Sequence, residues 1–149
     1  MISHEFFMNY AYREAEIAYE QQEIPVGCVI VFQNSIIAKS HNQTEMLKDP
    51  TAHAEILAIT SAAEYLQSKQ LVGCSMYVTL EPCAMCAGAV VLSKTENLFF
   101  GAFDNKSGAC GSVMNITNNK DLNHKCNVTG GILDDKCREI LRSFFDVKR

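Results

Sequence analysis

The amino-acid sequence predicts an α/β domain of three layers, a mixed β-sheet with helices on its faces. Two observations lead there. Apolar residues switch along the chain between helical spacing and short β-branched runs. The runs and stripes also compose two successive strand–helix–strand units, which imply a mixed sheet covered by helices. No internal repeat, low-complexity tract or Pro/Gly-rich linker divides the 149 residues, so residues 1–149 are expected to form a single domain.

The elements follow in order. From Ser3 to Glu20, Phe6, Phe7, Tyr10, Ala11, Ala15, Ile17 and Ala18 recur at helical spacing behind Ser3 as N-cap. Ile24 to Phe32 is a mostly apolar, β-branched run that reads as a buried strand. Gln33-Asn34 is turn chemistry, and Ser35 to Lys39 returns as the second strand of a hairpin. Asp49-Pro50-Thr51 signals a helix start, followed by Ala52 to about Gln67 with Ile56, Ile59, Ala63 and Leu66 on one stripe. Gly73 precedes a strand from Ser75 to Leu80. Pro82 opens a further helix, where a first-turn proline loses no needed hydrogen bond, and that helix runs through Leu92. Leu98 to Phe100 is a short strand ending in Gly101, and Asp104 to Gly111 is a glycine-bearing loop. Cys126 to Thr129 reads as a last strand or an extended link. Leu133, Cys137, Ile140, Leu141, Phe144 and Phe145 mark a C-terminal amphipathic helix.

A chain of this length buries roughly two thirds of its unfolded surface and needs no disulfide staples. Its 48% hydrophobic and 20% charged residues are ordinary for a globular protein. No secretory signal pattern stands at the N-terminus and no stretch of 18 apolar residues occurs, so the expectation is a cytoplasmic protein that does not span a membrane. Seven cysteines, odd in number and scattered, suit a reducing compartment. Five of them (Cys28, Cys74, Cys110, Cys126 and Cys137) sit among apolar or small residues and read as buried hydrophobes. The net charge of −4 gives no compositional support for nucleic-acid binding. Any such surface must be local, and Arg142, Lys148 and Arg149 are a small candidate.

Two short segments carry chemistry: His53-Ala54-Glu55 at one helix start and Pro82-Cys83-Ala84-Met85-Cys86 at another. Each alone is weak, since a His near a Glu is commonly a solvated or capping pair and a lone CxxC can be a redox pair or chance. Together they match the H-x-E…P-C-x-x-C signature of zinc-dependent deaminases. Cys83 and Cys86, three apart in a first helical turn, project from one face and can chelate one ion. A helix N-terminus favours the thiolate form that binds metal. With His53 they make three ligands for zinc, leaving the fourth tetrahedral position open for water as in catalytic sites. Glu55 is then expected to be the general acid/base rather than a ligand. A closed structural zinc site would need a fourth protein ligand; His4, His41, His124 and the remaining cysteines are candidates, and none stands in ligand spacing with either motif.

The sequence resembles the bacterial tRNA-specific adenosine deaminases, within the cytidine deaminase-like superfamily. The resemblance runs through Ile24-Pro25-Val26-Gly27, His41-Asn42, Asp49 to Ile56, Tyr77 to Ala89, Phe100-Gly101-Ala102, Gly108-Ala109 and Leu122-Asn123-His124, to Phe144-Phe145. It implies a five-stranded mixed sheet flanked by helices, one zinc per subunit, and a homodimer whose active sites approach the subunit interface. The implied reaction is hydrolysis of adenosine to inosine at the wobble position of a tRNA anticodon stem-loop. Carried over residue by residue, the pattern implies that Asn42 contacts the flipped-out adenosine. Asp104, Lys106 and Asn123 would touch neighbouring anticodon-loop nucleotides, and Phe145 would form a pocket wall. Phe103 departs from the pattern, since some relatives carry arginine there. A deaminase of a free guanine or cytidine-type substrate shares the same zinc chemistry, and a non-catalytic zinc-stabilised binding module remains a third reading. The long segment after Gly101 favours the first over the second, and the retained Glu55 disfavours the third.

Overall fold

A computed structural model describes residues 2–148, with the side chain of Lys148 and all of Arg149 outside the described residues. Ser3 caps the first helix, α1 (His4–Glu20), by accepting a hydrogen bond from the Phe6 backbone N–H. Two strands follow as a hairpin, β1 (Gly27–Phe32) and β2 (Ser35–His41). Gln33 and Asn34 join them, both at positive φ, as a two-residue turn matched to strand twist requires. Next come α2 (Thr44–Leu47), α3 (Ala54–Leu66), β3 (Cys74–Leu80), α4 (Ala84–Leu92), β4 (Asn97–Ala102), β5 (Asn127–Thr129) and α5 (Asp134–Lys148). The five strands form one sheet in the order β2-β1-β3-β4-β5. β1 runs antiparallel to both its neighbours, while β3, β4 and β5 are parallel, so the sheet is mixed as expected.

Strand pleating divides the core in two. Cys28, Ile30, Met76 and Val78 point to one face and pack with Ala54, Ala58 and Ala62 of α3 and Ala87 and Val90 of α4. Val29, Val31 and Tyr77 point to the other and pack with Phe7, Met8 and Ala11 of α1 and Cys137 of α5. Helices on both faces explain why Gly27 to Phe32 reads as a continuous apolar run rather than an alternation. α1 presses so closely on β1 that a Cβ at Gly27 would lie 1.9 Å from the Ala11 carbonyl oxygen.

The structure moves several boundaries. β1 begins at Gly27, not Ile24, because Pro25 has no donor and Val26 N–H turns back to the Ile24 carbonyl at 2.8 Å. β2 extends two residues further, to His41. Asp49 accepts from both the N–H and the hydroxyl of Thr51, forming a turn that delays α3 until Ala54. Pro82 likewise precedes α4, whose N-cap is Cys83. Of Cys126 to Thr129, Asn127–Thr129 form a strand, β5, parallel to β4, and Cys126 stands just before it. α2 had no counterpart among the expected elements. It is held by the buried carboxylate of Glu23, which accepts from the N–H groups of Glu45 (3.0 Å) and Met46 (2.8 Å). No helix among the described residues is long and apolar enough to cross a membrane.

Candidate active site

The starts of α3 and α4 meet beside the ends of β2 and β3, and this brings the two motifs together. His53 is the N-cap residue of α3 and Cys83 that of α4, both with extended backbone and neither using its side chain as a cap. Both side chains are thereby free to face each other. His53 Nδ1 lies 3.7 Å from Cys83 Sγ and 3.6 Å from Cys86 Sγ. Ligand distances of about 2.3 Å for sulfur and about 2.1 Å for nitrogen, at a tetrahedral angle, require a separation of about 3.6 Å. The donor set therefore fits zinc in both element and spacing. Among the described residues, His53, Cys83 and Cys86 are the one group of three His, Cys, Asp or Glu side chains that could hold a metal ion, their ligand atoms all within 4.8 Å of one another.

The electrostatics favour a cation. Hydrogen bonding from Cys86, then from His53, holds the Cys83 thiol down at about 3. The same bond to Cys83, together with burial, holds the Cys86 thiol well above its ordinary range. Metal binds the thiolate form, so a cation held here would displace thiol protons. The Cys83 thiolate also raises the His53 imidazole.

Glu55 stands in the first turn of α3, only 4% exposed and outside the ligand group. Burial pushes its carboxyl up to about 7, partly offset by its own backbone N–H and by His53. Two other carboxylates border the same space and are already engaged. Glu81 accepts four hydrogen bonds from the 104–112 segment. Asp104 accepts from the N–H groups of Lys106 and Ser107 and from the Ser107 hydroxyl. Glu55, by contrast, is tied to no loop and hydrogen-bonds Cys86 of the ligand set itself.

These groups open on a cleft of about 590 Å³, within the range of small-molecule sites. Ile24, Val26, Asn42 and Thr44 form one wall, and residues 103–107 another, with Leu141 and Phe145 contributed by α5. Asn42 is buried. Its amide donates to the Ile24 carbonyl at 3.4 Å and its oxygen accepts from Thr44 N–H at 3.3 Å. Both bonds are long, so the carboxamide keeps donor and acceptor capacity toward the cleft. Asp104, Lys106 and the 45% exposed Phe145 also line it. Asn123 does not; it is exposed on the 103–126 segment, outside the lining residues. Phe103, standing where some relatives carry arginine, packs edge-on against Phe100 and borders the cleft. Of the basic trio, Arg142 is spent on an ion pair with Glu139; Arg149 and the Lys148 side chain lie outside the described residues.

Glu23 and Glu81 went unassigned at the sequence level. Their partners lie 22 to 31 residues away and are mostly backbone amides, which leave no residue-type signal.

The cytidine and deoxycytidylate deaminase zinc-binding region matches residues 1–102 of the chain. A tRNA-specific adenosine deaminase of Bacillus subtilis is 45% identical over 145 residues, covering 97% of this chain and 90% of the relative. That of Aquifex aeolicus is 49% identical over 141 residues, covering 95% and 93%. A solved structure from a study of A-to-I editing by tRNA deaminases at the wobble position superposes with a TM-score of 0.88 at 41% identity, covering 91% of this chain and 98% of that one. The chain belongs to the cytidine and deoxycytidylate deaminase zinc-binding family and, within it, to the tRNA-specific adenosine deaminases.

Proposed function

We propose that residues 1–149 work as one zinc-dependent deaminase domain that hydrolyses adenosine to inosine at the wobble position of a tRNA anticodon. The carrying observation is the His53–Cys83–Cys86 set at zinc spacing, with the buried carboxylate of Glu55 beside it in the same cleft. Zinc held by His53, Cys83 and Cys86 would lower the pKa of water to about 7 and so supply a nucleophile at neutral pH. Glu55 takes one proton from the attacking water and passes it to the purine ring nitrogen. It then takes the second from the hydroxyl now on the carbon and delivers it to the departing amine as the C–N bond breaks. Adenosine and water become inosine and ammonia, and Glu55 ends as it began. The Asn42 carboxamide holds the purine edge, while Ile24, Val26 and Leu80 exclude bulk water from the reacting carbon.

A base in a duplex cannot reach so recessed a centre, whereas an anticodon loop offers one that flips cheaply. Asp104 and Lys106 meet nucleotides flanking the flipped base, and the exposed Phe145 ring offers a stacking surface. Asn123 lies farther out and would reach only a more distant nucleotide. Incubation with an anticodon stem-loop bearing wobble adenosine, with free adenosine and with free cytidine tests this reading. Inosine is expected from the stem-loop alone, because remote loop contacts supply the energy that positions the base. Comparable turnover of a free nucleoside would defeat the tRNA assignment.

The same reading includes a cytoplasmic homodimer. Seven free cysteines support a reducing compartment. For the dimer, α4 exposes only apolar residues, Ala84, Met85 and the 82% exposed Leu92, with Gly88 and Ala89 half-buried between them. A helix face without a polar side chain is a surface that association would cover. Leu92→Glu is therefore expected to convert a sedimenting dimer to a monomer. A dimer unaffected by that charge would place the interface elsewhere.

A further inference from the structure

The Glu81 carboxylate is 2% exposed, borders the cleft and has no part in the proposed proton steps. Its Oε1 accepts from the Asp104 N–H at 3.0 Å and the Ser112 hydroxyl at 2.5 Å. Its Oε2 accepts from the N–H groups of Cys110 and Ser112, both at 3.1 Å. One carboxylate thus ties together the two ends of the 104–112 segment. The chain wraps over it so tightly that a Cβ at Gly108 would lie 2.5 Å from the carboxyl carbon. Glu81 is itself fixed to the sheet, its N–H donating to the Ala102 carbonyl at 2.9 Å, and it precedes Cys83 by two residues. Residues 103–109 have neither helix nor strand to hold them, yet five of them form a cleft wall.

We infer that Glu81 is a positioning residue for substrate recognition, a clasp that registers the 103–107 wall against the zinc-ligand helix. Burying a carboxylate is unfavourable unless donors surround it, and here four do. The favourable state therefore exists only when the segment is closed over it. Opening the segment would strand the charge, so the wall is rigid before substrate arrives and the entropy of ordering it is not charged to binding.

A carboxamide at this position loses acceptance for two of the four donors whichever way it is turned, because its NH₂ end faces N–H or O–H groups. In Glu81→Gln, the amides of Asp104, Cys110 and Ser112 are expected to exchange hydrogen about tenfold faster or more. Zinc content should stay at one per chain. KM for the anticodon stem-loop should rise by about tenfold while kcat changes little, since groups near the reaction are untouched and charged hydrogen bonds are lost from the wall. Ser112→Ala removes one donor from outside the cleft lining and should shift exchange and KM in the same direction by less. A purely structural role would instead lower zinc content and kcat together. Unchanged exchange at these three amides in either variant, or a kcat loss at constant KM, overturns the inference. The kinetic arm rests on the deaminase reading. If the wild-type chain left the stem-loop unreacted, that reading would fail, and exchange alone would decide the clasp.

Discussion

Cys83→Ser or Cys86→Ser is expected to abolish zinc binding, lower thermal stability and reduce deamination to background. A serine hydroxyl does not ionise near neutral pH, so either change leaves two ligands where a catalytic zinc site needs three. The loss extends to folding because the ion binds the native arrangement and not the open chain. A ligand present at a thousandfold excess over its dissociation constant stabilises by about 4 kcal/mol, and that contribution disappears with the site. Cys28→Ser, Cys110→Ser and Cys137→Ser are the matched controls. All three thiols are buried, and burial holds them above the ordinary range, Cys110 and Cys137 at about 12. None offers a ready thiolate, and none lies in the ligand group. Metal analysis and thermal melts of the five variants check the assignment. Zinc absent from Cys110→Ser, or retained in Cys83→Ser, would show that the thiolate set was misassigned.

What was readable in the sequence divides by the range of the interactions involved. His53 and Glu55 share a helix start, as do Cys83 and Cys86, so spacing alone places each pair on its element. Only the fold brings the pairs together, and the combined signature anticipates it because both helix starts lie at strand ends. The apolar run of β1 was visible because helices cover both faces, whereas its first residue was not, since Pro25 ends the ladder early. α2 escaped because four residues carry no periodic stripe and their cap, Glu23, lies about twenty residues upstream. Asn42, Asp104, Lys106, Asn123 and Phe145 rested on resemblance rather than spacing. The fold gathers four of them around the cleft and leaves Asn123 outside its lining. The engagement of Asp104 with Lys106 and Ser107 is a local loop cap, the bland role that its residue type also predicts.

Glu55→Ala is expected to fold, bind zinc at the wild-type ratio and lose nearly all deamination. The carboxyl lies beside the ligand group without belonging to it, so its removal leaves His53, Cys83 and Cys86 in place. The proton steps then have no carrier. Asp104 is held by its own loop and Glu81 by four donors, so no neighbouring carboxylate can substitute. Loss of a general acid/base costs about 10²–10⁴-fold, and here one group serves several transfers, which places the effect at or beyond the upper end. Glu55→Gln separates chemistry from packing, because glutamine fills the same volume and still hydrogen-bonds but cannot relay a proton. Both variants should fall to similar single-turnover rates on the stem-loop, with little change in the affinity measured by RNA titration. Stability should not drop as in the cysteine variants, since removing a buried carboxyl also removes the cost of desolvating it. Zinc lost from Glu55→Ala would make Glu55 a ligand, and near-wild-type turnover by Glu55→Gln would mean that the proton travels by another route.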